Sequence, residues 1–330
     1  MLHLLAGSGR RRQAGSLVLR RLVWVVPILA FVVVVTFALM HLAPGNPWDA
    51  TAHGPTVELS PTAIRQLDAK YGLNDPWPVQ LVRYMANAAR LDLGVSYRYE
   101  GQTVGHLVVQ SLPHTFVLGF LALGVILPLG LGLGTAAALR HNSWLDYAVT
   151  GLATVGASVP NFVVGILLVL GLSVGLNRAT GGAFYLPAAG FGLDSHLVMP
   201  VITLSMLPVA FIARLTRSAT LEALGRDHVQ AARAKGLAER TVIVRHVLKN
   251  SLVPVVTTIG PLITFLITGT IVVEYVFQIP GLGGTFVQAI AQRDYPVILG
   301  TTITYAVVVA MANLVVDVAY LFIDPRVRPS

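Results

Sequence analysis

The sequence predicts an all-α integral membrane protein with six transmembrane helices, a polar loop on the inner side and a small helical segment on the outer side after the first helix. Three observations carry this expectation. Of the 330 residues, 55% are hydrophobic and 12% are charged, against roughly 25% charge in an average soluble domain. Nearly uncharged runs recur along the chain at lengths near the roughly 20 residues that a helix needs to cross a ~30 Å hydrocarbon layer. Arg and Lys gather in alternate connections between those runs. The net charge of +8 fits an anionic membrane surface better than a nucleic acid, because the apolar content is so high. The absence of cysteine excludes disulfides, cysteine-ligated metal and thiol catalysis.

The runs cover residues 22–42, 115–139, 147–172, 197–213, 253–273 and 297–322. Each is apolar nearly all round, as lipid contact requires. The fourth is short and carries Pro200 and Pro208, so a break or tilt is expected there. The first follows Arg20 and Arg21, as a signal peptide would, but it exceeds the usual 7–15-residue apolar core and lacks a small-x-small cleavage site. Gly130, Gly132 and Gly134 in the second run would let its backbone approach a neighbouring helix.

Orientation follows from the basic residues. The N-terminal segment 1–21, the turn at Arg140, the stretch 214–252 and the tail 323–330 together hold 16 of the 23 Lys and Arg. That side is predicted to be the cytoplasm, with both termini on it. The segment 43–114 is then external, and 115–322 forms a five-helix core that contains the 214–252 loop. Within 43–114, Ser60-Pro61 reads as a cap followed by proline at the first helical position, and Gly72 as the stop. A second helix is expected from about Pro78 and a third over 103–111.

The stretch 214–252 is the most informative part of the chain, since a polar stretch of about forty residues interrupts an otherwise apolar half. It reads as two short helices. The first, over 221–235, contains Asp227, Gln230, Ala231, Ala232, Arg233 and Lys235, and Gly236 followed by Leu237 provides its left-handed stop. The second, over 238–250, pairs Ile243 with Val247 and Val244 with Leu248 at helical spacing. Two helices about a glycine turn make a docking knob, whereas the charges alone would suit an anchor on anionic lipid.

Here the sequence resembles a known family. Gln230-Ala231-Ala232, three residues and Gly236 are similar to the EAA loop of ABC importer permeases, with Gln230 where glutamate is usual. The wider run from Asp227 to Leu237, with Arg245-His246-Val247-Leu248-Lys249-Asn250 downstream, resembles the peptide and nickel branch. So do Leu42-Ala43-Pro44-Gly45-Asn46-Pro47, Leu91-Asp92-Leu93-Gly94, Ser96-Tyr97-Arg98, Glu274-Tyr275-Val276-Phe277, Ile279-Pro280-Gly281-Leu282-Gly283, Arg293-Asp294-Tyr295-Pro296 and Asp324-Pro325-Arg326-Val327-Arg328. The resemblance implies a multi-pass permease subunit of the bacterial inner membrane that imports di- or oligopeptides, nickel complexes or another small solute. It also implies two ATP-binding subunits, a second homologous permease and an external solute-binding protein as partners. ATP and Mg would sit on the partner subunits, with no cofactor in this chain.

The chemistry of the chain agrees with that division of labour. Its lysines, at positions 70, 235 and 249, do not stand in the Gly-Lys-Ser/Thr context of a phosphate-binding loop. The one acid expected inside a span is Asp317, a turn after Asn313. It is a candidate for an ion-coupled carrier, although its place near the inner end suits a hydrogen-bonded structural role. Gly156-Ala157-Ser158 resembles the surroundings of an intramembrane serine nucleophile, but no histidine lies in the later spans to serve as its base. The nine histidines show no metal-ligand spacing. Pro280-Gly281-Leu282-Gly283 reads as an external turn. Its apolar neighbours Phe277, Ile279, Leu282 and Phe286 point to a gate or a binding-protein contact, since they would otherwise expose a patch.

Overall fold

A computed structural model describes residues 2–49, 60–99 and 101–323. The described residues are helical apart from short connections and one isolated bridge between Val95 and Thr103. Six helices among them are long and apolar enough to cross a membrane. They divide between two compact units, residues 1–115 with 280–330 and residues 116–279.

The first unit begins with α1 (Leu2–Leu42), whose apolar part from Val18 onward is the first candidate span. Two short helices follow, α2 (Pro61–Tyr71) and α3 (Trp77–Ala88). The cap of α2 is the expected one: the Ser60 hydroxyl accepts the Ala63 amide at 3.2 Å, and Gly72 ends the helix at φ 69°. The helix expected over 103–111 is not separate. It forms the opening turns of α4 (Val104–Leu139), which runs on through Pro113 because proline bends an apolar helix without ending it when neighbours stabilise the backbone. α4 contributes its turns up to Thr115 to this unit and the remainder to the other.

The second unit holds the rest of α4, then α5 (Trp144–Ser158), α6 (Asn161–Ala179), α7 (Val198–Leu224), α8 (Asp227–Ala234) and α9 (Glu239–Val276). Its core gathers Leu118 and Ile126 of α4, Met199, Leu204 and Ile212 of α7, and Leu266 and Val273 of α9. The third apolar run proves to be two helices. Val159 is extended at ψ 124°, as a residue before proline prefers, and Pro160 opens a new helix, so the candidate span is Asn161–Ala179 rather than 147–172. The fourth is corrected the other way. α7 is continuous through Pro208 and is the most buried of the six, with Pro200 harmless in its first turn.

The first knob helix expected over 221–235 is likewise divided. α7 ends at Leu224, Gly225 and the extended Arg226 break the path, and α8 starts at Asp227. The second knob helix does not end near Asn250. It runs into the fifth span as α9, through a π-helical stretch Val242–Leu248, because no glycine or proline interrupts 239–253. The chain closes in the first unit with α10 (Leu282–Gln292) and α11 (Tyr295–Ile323). The motif at 324–328 lies outside the described residues.

Candidate functional site

The knob is built on a small apolar core. Val229 and Ala232 of α8 pack with Ala223 of α7 and with Val242 and Val247 of α9, none of them more than 5% exposed. The spacing that buries Val229 and Ala232 turns Asp227, Gln230, Ala231 and Arg233 outward. Gly236 takes φ 75°, its amide donates to the Arg233 carbonyl at 2.9 Å, and the Leu237 amide donates to Ala232 at 3.4 Å. This left-handed stop reverses the chain within two residues. Arg233 grips Glu239 across the turn with two hydrogen bonds, at 2.6 and 3.2 Å. Asn250 meets the His228 ring at 2.9 Å and joins α9 to α8.

Of the residues singled out by sequence, Asp227, Gln230, Ala231, Arg233, Lys235, Gly236 and Leu237 are exposed on this surface, and Ala232 supports it from inside. The arrangement is an exposed short helix whose base packs on the ends of two long helices. It offers a partner both charges and a 43% exposed Leu237. Sequence reasoning did not find the core under it. The signal was present in the three-residue spacing of Val229 and Ala232, but the break at Gly225 and Arg226 hid their register with Ala223.

The apolar turn lies inside the chain and not on its surface. In the second unit Phe277 and Ile279 are buried in the core, and Gln278 between them is left-handed at φ 50°. In the first unit Gly281, Leu282 and Gly283 are buried, Pro280 is exposed and Phe286 is half-buried. The Leu282 amide donates to the Thr115 hydroxyl at 2.9 Å, and the hydroxyls of Ser111 and Thr285 meet at the same distance.

Asp317 of α11 pairs with Arg21 of α1 at 2.7 Å, and Asn313 is exposed one turn away. Asp317 is not the only acid in a candidate span. Glu274 lies in α9 and is fully buried, because that helix runs a turn beyond the purely apolar run before Gln278 stops it. Among the described residues no group of His, Asp and Glu could hold a metal ion.

Three loop motifs meet in the first unit. The Asp294 carboxylate accepts the Ser96 hydroxyl and the amides of Tyr97 and Arg98, while Arg98 reaches the carbonyls of Gln292 at 2.9 Å and Pro47 at 2.7 Å. The rings of Trp48, Tyr71 and Tyr97 pack beside them in tilted contacts, and the Trp48 ring nitrogen donates to Asp68 at 2.8 Å. Burial and the Asp294 charge push the Tyr97 hydroxyl far above its ordinary pKa, so it stays neutral.

Comparison with known proteins places this architecture. Residues 130–329 match the model of the binding-protein-dependent transport system inner membrane component family. The chain belongs to that family. This inner membrane component is 39% identical over 293 residues to the dipeptide transport system permease protein DppB of Bacillus subtilis, covering 89% of the chain and 91% of the relative. It is 38% identical to the DppB protein of Lactococcus lactis and 37% identical to the oligopeptide transport system permease protein OppB of Escherichia coli. Each of these two alignments spans 311 residues, 94% of the chain and 98% of the relative. The transport component is therefore an all-α, multi-pass membrane permease.

Proposed function

We propose that this permease is one half of the membrane pathway of an ATP-driven importer, taking up di- or oligopeptides delivered by an external solute-binding protein. The observation that carries the reading is the knob, an outward-facing helix with a fused base that can pass force into α7 and α9. The names of the relatives support peptides over nickel complexes as the solute. The family's description as binding-protein-dependent speaks against an autonomous ion-coupled carrier, and the pairing of Asp317 with Arg21 gives that acid a structural task.

In this reading two ATP-binding subunits carry ATP and Mg and seat α8 with its Gly236 turn in a cleft. A second homologous permease completes the pathway. The loop 214–252, the segment 1–21 and the tail 323–330 face the cytoplasm, and 43–114 faces outward. At the apolar turn the exposed Pro280 and the half-buried Phe286 offer surface for an external gate or binding-protein contact, while Gly281, Leu282 and Gly283 are buried and hold the turn's shape. Nucleotide-driven closure of the ATPases moves the knob and rocks the helices as rigid bodies.

Reconstitution in liposomes tests this. The expected result is uptake of a labelled dipeptide only when the ATPases, the second permease, the binding protein and ATP are all present. Peptide accumulation by this chain alone under an imposed ion gradient overturns it. A topology reporter at residue 232 must report the cytoplasm.

A further inference from the structure

The knob needs a route into the helices, and the second unit contains a joint that the sequence motifs do not announce. Asp146, at the start of α5, is 2% exposed. Its carboxylate accepts two hydrogen bonds from Arg217 of α7, one of them at 2.8 Å, and the Asn142 amide at 3.0 Å, and it lies 3.1 Å from the His141 ring nitrogen. The Asp146 amide in turn caps on Ser143 at 3.4 Å. Arg217 also lies 3.3 Å from His141. One buried carboxylate thus holds the α4–α5 turn and α7 together.

Position gives this joint its meaning. Arg217 lies two turns before α7 ends at Leu224, and Ala223 and Leu224 belong to the knob core. Above the joint α4 and α7 are in backbone contact, since a side chain at Gly130 or Gly134 would strike Ile212, Ala213 and Thr216. Ala137, Val149 and Ala213 fill the space between α4, α5 and α7. At its far end α5 stops at the extended Val159 before Pro160. The hairpin is therefore gripped at one end by a directional polar pair and ends at the other in a break of the helical path.

We infer that Asp146 and Arg217 form the coupling joint by which motion of the knob is passed through α7 to the α4–α5 hairpin, making Asp146 a positioning residue of the transport cycle. The inference rests on the knob reading proposed above. Without the joint α7 would still follow the knob through its fused base, but α5 would be held to α7 by non-directional apolar contacts alone, such as Val149 with Ala213. The carboxylate, itself little exposed, suits this task, because a charge-assisted bidentate pair fixes direction as well as distance.

The test uses the whole assembled transporter in nanodiscs. The chain has no cysteine, so Tyr147→Cys and Ser218→Cys, both at exposed positions, allow spin labels on α5 and α7. In the otherwise wild-type chain the inter-label distance should stay single and unchanged between the nucleotide-free and ATP-trapped states. A distance that changes with nucleotide overturns the joint whatever any further variant does. In Asp146→Asn the distance should become state-dependent, and uptake per ATP hydrolysed should fall, about tenfold if the directional pair is worth about 1.4 kcal/mol to the coupling. The exchange Asp146→Arg with Arg217→Asp should restore part of the ratio, and wild-type coupling in Asp146→Asn overturns the proposal. Crosslinking of residue 231 to the ATPase is scored in parallel. Its absence from the wild-type assembly sinks the knob reading, whereas its presence with a mobile α5–α7 distance sinks only the joint.

Discussion

Asp294 accepts the amide hydrogen of Tyr97 at 3.1 Å across 197 positions of sequence. The same carboxylate takes the Ser96 hydroxyl and the Arg98 amide, and it is 1% exposed. Three donors and no carboxylate competitor make it the anchor of the first unit's loop cluster.

Asp294→Ala should therefore lower the thermal midpoint clearly. Leaving buried donors without an acceptor costs about 1–3 kcal/mol. Asp294→Asn keeps one acceptor oxygen and should lose less. Both are read by unfolding in detergent, and an unchanged midpoint for the alanine variant would remove the anchor role.

Gly236 is needed for its conformation and not for space, since nothing lies within 4 Å of where a Cβ would stand. Gly236→Val must hold a β-branched residue at φ 75°, a strain of about 1–2 kcal/mol. The expected outcome is a misdirected α8, with peptide uptake uncoupled from ATP hydrolysis while membrane insertion survives. Gly236→Ala should show a milder form of the same loss, and Gly236→Asn, which tolerates the left-handed region, should retain most coupling. Equal coupling across the series would contradict the docking role of the turn.

Two glycines on α4 separate packing from mere glycine content. Gly134 faces the Ala213 carbonyl and Thr216, whereas Gly132 has open space around it. Gly134→Leu should push α7 off and destabilise the second unit by about 1–3 kcal/mol or more, and Gly132→Leu should be nearly silent. Proteolytic susceptibility of the purified chain distinguishes them.

What was legible in the sequence is what local chemistry decides. Ser60, Pro61 and Gly72 bound their helix as read, and Gly236 makes the left-handed stop, because a cap or a positive φ depends on a few neighbouring residues. The apolar runs located the spans, but their ends moved wherever a helix continued for reasons outside the run. α9 begins at Glu239 because no breaker stands between the knob and the span, whereas α4 absorbs 104–111 although Pro113 stands between them and the apolar run. Pro160 broke a run that Pro208 did not. Both lack an amide hydrogen, and only the packed surroundings of α7 decide that its helix survives. Asp146 and Asp294 were invisible as anchors because their partners lie 71 and 197 residues away. In the sequence Asp146 is only the last residue of a Ser-x-x-Asp cap. The three glycines of α4 read as one stripe, yet a helix turns Gly130 and Gly134 to one side and Gly132 to the other.

α9 ends in a left-handed residue with the Ile279 amide donating to Glu274 at 2.9 Å and the Gln278 amide to Tyr275 at 3.3 Å, the same paired closure that Gly236 gives α8. Here, however, the left-handed position is held by an exposed glutamine at φ 50°. An L-residue pays about 1–2 kcal/mol for this region, and glycine does not. Against that gain, glycine adds freedom to the unfolded chain worth about 0.5–1 kcal/mol. The conformational relief is the larger effect, so Gln278→Gly should raise the thermal midpoint slightly and leave transport unchanged. Gln278→Val should lower the midpoint, and because Phe277 and Ile279 on either side are buried, it should disturb the core around them as well. A midpoint that falls with glycine would mean that the glutamine side chain holds the turn through a contact of its own.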